Sequence, residues 1–297
     1  MRNNPNQTER SETMHASEIT FGVEIETIAP QSLMSEGLRI GGYHHGIQVP
    51  YLPEGWKAER DSSLHYGPRE MGCEIVSPVL CGVEGLRQVA EVLATLREKG
   101  HRVNASCGVH VHVGWDPERP SAELARLVRM ASYLEKALYA ITGTTRRERG
   151  MWCGSIRQHG DTQTATQQAT HQRYHVVNLT HLARGDQHTV EFRCFSGSLE
   201  ATKVLGWIMV CIGMVQKAIA IRITNGWTPK GDEAPTKAVS NLMYYLGWSE
   251  SGKKNLKGRQ FGWMDNPAGF AAIRKEFLRL ARKYAAERAE REASSGA

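Results

Sequence analysis

Apolar and polar residues alternate along the stretch ITFGVEIETIAP, residues 19–30. Successive side chains of a strand point to opposite faces, so the apolar residues at odd positions would lie together, and Glu24 and Glu26 would share the other face. The two carboxylates would then be ~7 Å apart along the strand. The stretch therefore predicts a strand whose apolar face packs on a core and whose other face holds two like charges.

The same alternation recurs later in the chain with other polar residues. Glu74 stands alone in an apolar segment, His110 and His112 are two residues apart, and so are Glu191 and Arg193. The pattern predicts strands at five further places, which are 56–65, 72–80, 102–115, 173–182 and 188–197. Where glutamates or histidines occur in them, we expect the polar residues on one face and the apolar residues on the other.

Apolar residues at helical spacing predict helices between and after these strands. One helix would end at Gly100, and others would cover 121–143 and 199–223. A C-terminal helix would have one apolar face, formed by Phe270, Ile273, Phe277, Leu280 and Tyr284. The segment 144–172 shows no periodicity. Strands separated by helices and long loops predict an α+β fold with a mainly antiparallel sheet flanked by helices.

Composition limits the class of protein without identifying it. The chain has 297 residues, of which 40% are hydrophobic and 23% are charged, as in an ordinary water-soluble protein. The net charge of +6 permits an anionic partner such as a nucleotide. The six cysteines form no CxxC pair, which excludes a zinc knuckle and a thioredoxin-type motif.

The sequence contains no signal for export or for insertion into a membrane. The first residues lack the apolar run of a signal peptide, and we expect residues 1–17 to be a disordered lead-in. The apolar run at 204–215 is too short to cross a bilayer. Several cysteines stand in apolar runs, as small buried residues do in a reducing compartment. We therefore expect a cytoplasmic protein without a membrane partner.

The polar strand faces have two interpretations. Antiparallel sheets often expose one face to solvent, and each polar pair alone fits that view as well as a functional one. An exposed strand face, however, usually mixes Thr, Lys, Ser, Gln and Arg. Here four glutamates would share one surface and repel each other unless cations neutralised them. These are Glu24, Glu26, Glu74 and Glu191.

Divalent cations are suitable partners for such a set. Mg²⁺ is usually bound by a few carboxylates together with substrate phosphates. His110 or His112 would add a metal ligand or a phosphate donor. The guanidinium of Arg193 is suited to a bidentate grip on phosphate or carboxylate. The residues alone thus indicate metal-assisted phosphate chemistry.

Six segments in a fixed order resemble the amidoligase family, a branch of the carboxylate–amine ligase superfamily related to glutamine synthetase and glutamate–cysteine ligase. The segments are FGVEIE, DSSL, EIVSPVL, CGVHVHV, RYHVVNL and TVEFRCFSGSL, within residues 18–220. Their order, more than any one of them, makes the resemblance specific. One departure is Ser62, which stands where the family pattern has glycine.

The resemblance implies a sheet curved into a funnel, with ATP entering from one side, the acceptor substrate from the other, and Mg²⁺ or Mn²⁺ at the waist. The metal ligands implied are Glu24, Glu26, Glu74 and Glu191. His110 and His112 would contact a metal or the γ-phosphate of ATP, and Arg193 would hold the transferred phosphoryl group or the substrate carboxylate. Glu191, His112 and Arg193 would form the catalytic set.

The implied activity is the ATP-dependent joining of a small-molecule or peptide carboxylate to an amine through an acyl phosphate, with ADP as product. The catalytic domain would span residues 18–224. Residues 225–297 would form a C-terminal extension, with a loop and an amphipathic helix packed on that domain.

Other interpretations stay open at the level of sequence. The same Glu/His cluster would serve a metal-dependent hydrolase, and a non-catalytic member of the fold would only bind ligands. Arg173 is a candidate for binding phosphate or carboxylate, or a surface arginine. Asp61 would support the site or belong to a turn. The arginines at 146, 147, 149 and 157 would close over a nucleotide or lie in solvent. The sequence has no basic, aromatic-rich strand of the kind that stacks bases, so a nucleic-acid partner is not expected.

Overall fold

A computed structural model describes residues 15–220, 233–248 and 269–295. The predicted lead-in at 1–17 therefore lies mostly outside the described residues. The same holds for the end of the helix predicted at 199–223, and for residues 225–232 and 249–268 of the predicted C-terminal extension.

The centre of the molecule is one sheet of eight strands in which every strand pair is antiparallel. The strands are β1 (Thr20–Pro30), β2 (Ile47–Gln48), β3 (Lys57–Glu59), β4 (Glu70–Val76), β5 (Leu80–Cys81), β6 (Gly108–Gly114), β7 (Val177–Asn178) and β8 (Thr189–Ser196). They pair in the order β2-β3-β4-β1-β6-β8-β7, and β5 pairs with the start of β1. The predicted α+β class with an antiparallel sheet is confirmed.

Helices connect and cover these strands. They are α1 (Gly82–Glu98), α2 (Ser121–Ala140), α3 (Arg146–Arg149), α4 (Thr162–His171), α5 (Thr180–Arg184), α6 (Ala201–Ala220), α7 (Pro235–Tyr245) and α8 (Phe270–Ser295). The first of them ends where predicted, because Gly100 takes a left-handed conformation with φ of 79° that favours glycine.

The apolar face of the sheet lies in the core, as the alternation predicts. Val23, Ile25, Val109 and Val111 are all buried within one large apolar cluster. The helix α6 packs in the same core, where its Trp207 ring stacks on Phe195 at 5.1 Å between centroids. By length and composition α6 is apolar enough to cross a membrane, but 83% of its most apolar window is buried inside the protein.

A β-bulge in β8 sets the direction of the last polar residues. Val111 of β6 pairs with Phe192, whereas Val109 pairs with Phe195, so β8 has one residue more than β6 over this interval. The extra residue keeps both phenylalanines buried while Arg193 reaches the polar face of the sheet. The bulge lies opposite His110, at the middle of the polar row described below.

The C-terminal helices pack on the helical layer. The predicted apolar face of α8 is buried at Ile273, Phe277, Leu280 and Tyr284. Gly206 of α6 makes this approach possible: a Cβ atom there would lie 2.7 Å from the Phe277 ring. A side chain at position 206 would collide with the ring, so glycine allows α6 and α8 to pack closely against each other.

Three predicted segments differ from the structure. The strand expected at 56–65 stops at Glu59, because the Asp61 side chain accepts a hydrogen bond from the Ser63 N–H at 2.6 Å and starts a turn. The strand expected at 173–182 shrinks to β7, and α5 follows it. Within 144–172, where no periodicity is present, the chain forms α3 and α4. Only two alanines of α4 are buried, so the sequence contains no apolar repeat that would predict these helices.

Candidate functional site

Strand pairing collects the polar residues of six strands into one row across the sheet. Glu26 pairs with Glu74, and Glu24 pairs with His110. His112 of β6 pairs with Glu191 of the neighbouring strand β8. The row ends with Glu59 opposite Glu74 on β3 and with Asn178 opposite Glu191 on β7. Side chains that are far apart in the sequence are therefore neighbours on one face of the sheet.

This row is an interior surface. The side chains of Glu26, Glu74, His110 and Glu191 are buried, and only that of Glu24 is as much as 25% exposed. The interpretation of these strand faces as an ordinary solvent-exposed surface is therefore wrong, since the glutamates converge inside the protein.

His110 stands at the centre of the carboxylates. Its ring nitrogens lie close to four glutamates: 3.0 Å from Glu24, 3.6 Å from Glu191, and 3.7 Å from both Glu26 and Glu74. One imidazole cannot neutralise four carboxylates, so the cluster needs further positive charge.

Titration of the carboxylates reflects this crowding. Burial, followed by repulsion from Glu24 and Glu26, raises the pKa of Glu74 well above its usual value. Burial also opposes ionisation of Glu191, but the charges of Arg193 and of the histidines outweigh it and lower the pKa of Glu191. The cluster thus combines a carboxyl group whose pKa is raised with one whose pKa is lowered.

Glu24 and His112 form one charged pair of the row. Burial would raise the pKa of Glu24, but the charge of His112 and the hydrogen bond with His110 lower it well below its usual value. Burial would lower the pKa of His112, but Glu24 and Glu191 raise it to about 9. The Nε2 atom of His112 is buried and makes no hydrogen bond, although Glu24 Oε1 lies 3.2 Å away.

This arrangement fits divalent cations. Two ligand atoms on one octahedral Mg²⁺ lie about 3 Å apart, close to the separation between His112 Nε2 and Glu24 Oε1. Ligand atoms lie within 4.8 Å of one another in three groups: Glu24, His112 and Glu191; Glu24, Glu74 and His110; and Glu26, Asp61 and Glu74. Carboxylate oxygens dominate all three groups, as hard cations such as Mg²⁺ and Mn²⁺ require.

Arg193 adds a permanent positive charge at the row. Its Nη1 donates a hydrogen bond to Glu191, and its Nε is buried without a hydrogen-bond partner. Asn178 donates to the other oxygen of Glu191 at 2.5 Å. Glu191 is therefore fixed from two sides, and its orientation is set before any ligand binds.

An apolar cavity of about 420 Å³ opens on one side of the row. Its apolar lining residues are Phe21, Val23, Val76, Pro78 and Val79. Glu24 and His112 line it as well, and so do Ser77 and Gln187. The volume is sufficient for a small organic ligand or a part of one.

An arginine cavity of about 420 Å³ opens on the other side. It is named for the four arginines that line it, which are Arg60, Arg147, Arg173 and Arg193. Glu26, His110 and Asp61 line it from the side of the row, and Trp152 and Tyr174 are among its aromatic residues. A narrow space of about 40 Å³ shares lining residues with both cavities and contains the centre of the row.

The two glutamates of β1 are two residues apart, and so are the two histidines of β6. Each cavity is lined by one glutamate and one histidine of these pairs. Glu24 and His112 line the apolar cavity, whereas Glu26 and His110 line the arginine cavity. A ligand in one cavity and a ligand in the other would meet at the same carboxylates.

A comparison of the sequence with protein families gives a match. The family described as "Putative amidoligase enzyme" matches residues 17–163 and 155–215, which is more than half of the chain. The chain belongs to the amidoligase family. A search of curated proteins gave no match.

Solved structures are similar to this amidoligase at low sequence identity and with TM-scores below 0.5. A bifunctional glutathione synthetase from Pasteurella multocida is 10% identical with a TM-score of 0.49, over 96% of this chain and 50% of that one. A glutamine synthase homolog is 15% identical with a TM-score of 0.42, over 89% and 71%. The ligase PafA, in its complex with the ubiquitin-like protein Pup, is 10% identical with a TM-score of 0.46, over 95% and 66%. The chain thus spans half the length of the glutathione synthetase.

The sequence-predicted site residues of the amidoligase all lie at this site. Glu24, Glu26, Glu74, Glu191, His110, His112, Arg173 and Arg193 each line at least one of the three spaces. Arg173, whose role the sequence leaves open, lines the arginine cavity and donates from Nη1 to the Tyr43 hydroxyl at 2.8 Å.

Two residues of the site escape the sequence pattern. Glu59 is buried beside Glu74 and accepts a hydrogen bond from the His44 N–H at 2.8 Å, but its strand is only three residues long and shows no alternation. Arg147 lines the arginine cavity and does not line the apolar cavity. Nothing in an aperiodic segment distinguishes Arg147 from its neighbouring arginines.

Proposed function

We propose that this amidoligase is an ATP-dependent carboxylate–amine ligase that forms ADP and an amide or peptide-like bond. The observation that carries the proposal is the pair of cavities that meet at one row of carboxylates and histidines. A reaction between two bound molecules needs two sites with a common centre, and a simple hydrolase needs one.

The chemistry explains why a nucleotide is needed. A carboxylate is a poor electrophile, so an amine does not displace its oxygen at neutral pH. Transfer of the γ-phosphoryl group of ATP converts the carboxylate to an acyl phosphate, from which the amine displaces phosphate. Phosphoryl transfer depends on positioning and on charge neutralisation more than on covalent help from the protein.

The apolar cavity is suited to the nucleoside part of ATP. Its walls at Val76, Pro78 and Val79 offer apolar contacts, while Ser77 and Gln187 offer polar groups. A nucleoside bound there would direct its phosphates towards Glu24 and His112, because these two residues line the same cavity.

Divalent metal ions would be held by Glu24, Glu26, Glu74 and Glu191, with the histidines as further ligands. Bound Mg²⁺ or Mn²⁺ would neutralise phosphate charge and bridge the phosphates to the protein. The fit rests on the buried Nε2 of His112 without a hydrogen-bond partner and on the clustered carboxylates. Arg193, close to the same centre, would stabilise the charge that develops during transfer.

The arginine cavity would take the acid that is activated. Arg193 lines it at the row, so a carboxylate bound to Arg193 would lie next to the phosphates bound from the other side. We expect small-molecule or peptide acids and amines as substrates, and the cytoplasm, where ATP is abundant, as the compartment. The domain boundaries proposed from the sequence, 18–224 for the catalytic domain and 225–297 for the extension, are retained as proposals.

Hydroxylamine provides a direct test. The protein is incubated with ATP, Mg²⁺ and a panel of carboxylic acids, with hydroxylamine as a small amine that traps acyl phosphates as hydroxamates. Stoichiometric hydroxamate and ADP from at least one acid would support the proposal. Glu191→Gln should abolish both products, and Glu98→Gln, on the exposed end of α1, should change neither.

Other outcomes identify the alternatives. Cleavage of amides without consumption of ATP would favour the metal-dependent hydrolase. Binding of Mg²⁺ and ATP without hydroxamate from any acid would favour the non-catalytic member of the fold.

A further inference from the structure

Three arginines of the arginine cavity have no carboxylate partner in the part of the chain that the structure describes. Among the residues that the structure describes, Arg60, Arg147 and Arg173 form no ion pair within 4.0 Å, whereas Arg193 pairs with Glu191. The Nε atoms of Arg147 and Arg173 are buried without a hydrogen-bond partner. Charges that are partly removed from water cost free energy unless a counter-charge reaches them. Arg147 and Arg173, which are partly buried, therefore lack a carboxylate counter-charge among the described residues, whereas Arg60 is exposed to solvent.

The guanidinium of Arg147 is held by close contacts with two backbone segments, at Arg193 and at Gly108. Its Nη2 donates a hydrogen bond to the backbone oxygen of Arg193 at 2.6 Å. Gly108 faces it from β6, and a Cβ atom at that position would lie 2.8 Å from Nη2 and 3.2 Å from Cζ. The Gly108 N–H donates to Glu26 at 2.5 Å, so the same glycine contacts both the row and the arginine. The contact with the Arg193 backbone brings Arg147 beside the reacting end of the cavity.

The C-terminal helix holds the segment that carries Arg147. Glu287 of α8 accepts hydrogen bonds from the Thr145 N–H at 3.0 Å, from the Thr145 hydroxyl at 2.8 Å and from the Thr144 hydroxyl at 3.0 Å, directly before α3. Tyr284 of α8 donates to Glu148, the residue after Arg147. Burial opposes ionisation of Glu287, but the bonds from Thr145 and Thr144 lower its pKa, so it stays a carboxylate.

We propose that Arg147 binds a second negatively charged group of the acid substrate, separate from the carboxylate that reacts, and that α8 positions Arg147 for this contact. The substrate class is thus a dicarboxylate or another acid with two anionic groups. This inference rests on the proposed function. The helix that positions the arginine lies C-terminal to the residues matched by the family, at 17–163 and 155–215.

The proposal explains the distribution of charge in the cavity. Arg193, tied to Glu191, lies at the row, where the reacting carboxylate is needed. Arg147 and Arg173 are available for the other end of the substrate, and a planar guanidinium binds a carboxylate through two parallel hydrogen bonds. An acid without the second anion would leave both arginines uncompensated, so it should bind weakly.

Binding of matched acids tests the first half of the proposal without any turnover. Titration calorimetry in Mg²⁺ buffer compares succinate, glutarate and adipate with butyrate, pentanoate and hexanoate, which have the same chain lengths and one carboxylate fewer. At least one diacid should bind about tenfold more tightly than its monoacid. Arg147→Gln should remove that preference and leave the monoacid unchanged, while Arg149→Gln, on the exposed side of α3, should leave both unchanged.

Two results would overturn the proposal: no diacid preferred at any length, or a preference that survives Arg147→Gln. Failure of the ligase proposal is distinguishable, because it would show as diacid binding that depends on Arg147 while no acid yields hydroxamate or ADP.

A double-mutant cycle tests the role of α8. Glu287→Gln should weaken binding of the preferred diacid about fivefold and leave binding of the monoacid unchanged, and it should have no further effect in the Arg147→Gln background. Glu290→Gln, exposed on the same helix, is the control. A merely structural role would weaken both acids, with losses that add to those of Arg147→Gln, and this result would exclude the positioning role.

Discussion

Glu24 and His112 face each other at the inner surface of the apolar cavity, with Oε1 and Nε2 3.2 Å apart. The two strands that carry them are direct neighbours, and His112 pairs with Gly22, two residues before Glu24. Both side chains also belong to one cluster with Glu191. The pair links the nucleotide side of the proposed active site to its carboxylates, and it leads to the first two predictions.

Removal of the Glu24 charge should weaken metal binding. Glu24 contributes to two of the three groups that could hold an ion, so Glu24→Gln should lower the affinity for Mn²⁺ by at least about tenfold. Calorimetric titration of the protein with Mn²⁺ measures this. Glu84→Gln, on the surface of α1, should leave the affinity unchanged, and an unchanged affinity in Glu24→Gln would exclude Glu24 as a ligand.

Metal binding should become stronger as the pH rises. The raised pKa of His112, about 9, means that this residue is protonated at neutral pH, and a metal ion that uses its Nε2 must displace the proton. Below pH 9 the Mn²⁺ association constant should therefore increase by up to about tenfold per pH unit. Titrations between pH 6.5 and 8 test the slope. His112→Gln should reduce it, and an equal slope in both proteins would contradict the assignment of His112 as a ligand.

Glu135 should make stability depend on pH. It accepts hydrogen bonds from the Ser155 hydroxyl at 2.6 Å and the Ile156 N–H at 2.7 Å, and burial raises its pKa from 4.5 to about 7. Between these values the native protein retains a proton that the unfolded chain has lost. The contribution of Glu135 to the free energy of unfolding is therefore fully present below pH 4.5 and is lost as the pH rises to 7.

Urea unfolding at pH 5 and pH 7.5 measures this effect. Glu135→Gln, which mimics the protonated carboxyl, should gain stability relative to the wild type at the higher pH, by at most about 3 kcal/mol. Glu98→Gln, exposed on α1, should show no such pH-dependent difference. A relative stability of Glu135→Gln that is the same at both pH values would refute the shift.

Phe277 should be a major source of stability in the C-terminal part of the chain. Its ring is fully buried between α8 and α6 and contacts the position of Gly206. Phe277→Ala should lower the free energy of unfolding by roughly 3–5 kcal/mol, because it removes a large buried side chain and leaves a cavity. Lys283→Ala on the exposed face of α8 should cost less than about 0.5 kcal/mol. Chemical denaturation measures both, and similar small losses would show that α8 adds little to folding.

Alternation in the sequence predicts much of the sheet and of the carboxylate row. The segments around Glu24, Glu74, His112 and Glu191 show period two, and each forms a strand whose apolar residues are buried. The alternation does not predict which residues of neighbouring strands pair with each other. The position of His110 within 4 Å of four glutamates depends on how the strands pair and on the bulge opposite it, and both are set by contacts between distant segments.

The arginine cavity is less predictable for a different reason. Arg147 precedes no apolar repeat, and its place depends on Gly108, on the Arg193 backbone and on a carboxylate from α8, more than one hundred residues later. Short strands give little signal as well: β3 and β7 have three and two residues, and Glu59 and Asn178 reach the row from them. Such positions result from tertiary packing alone.

The row of carboxylates and histidines lies on paired strands, whereas three arginines of the arginine cavity lie outside them, and this difference has an evolutionary consequence. The carboxylates and histidines of the row sit on paired strands, where a shift of one residue would turn every side chain to the opposite face. Arg60, Arg147 and Arg173 sit outside those strands. In the proposed ligase, the choice of acid can therefore change through substitutions in connecting segments, while the carboxylates and histidines on the paired strands keep their places.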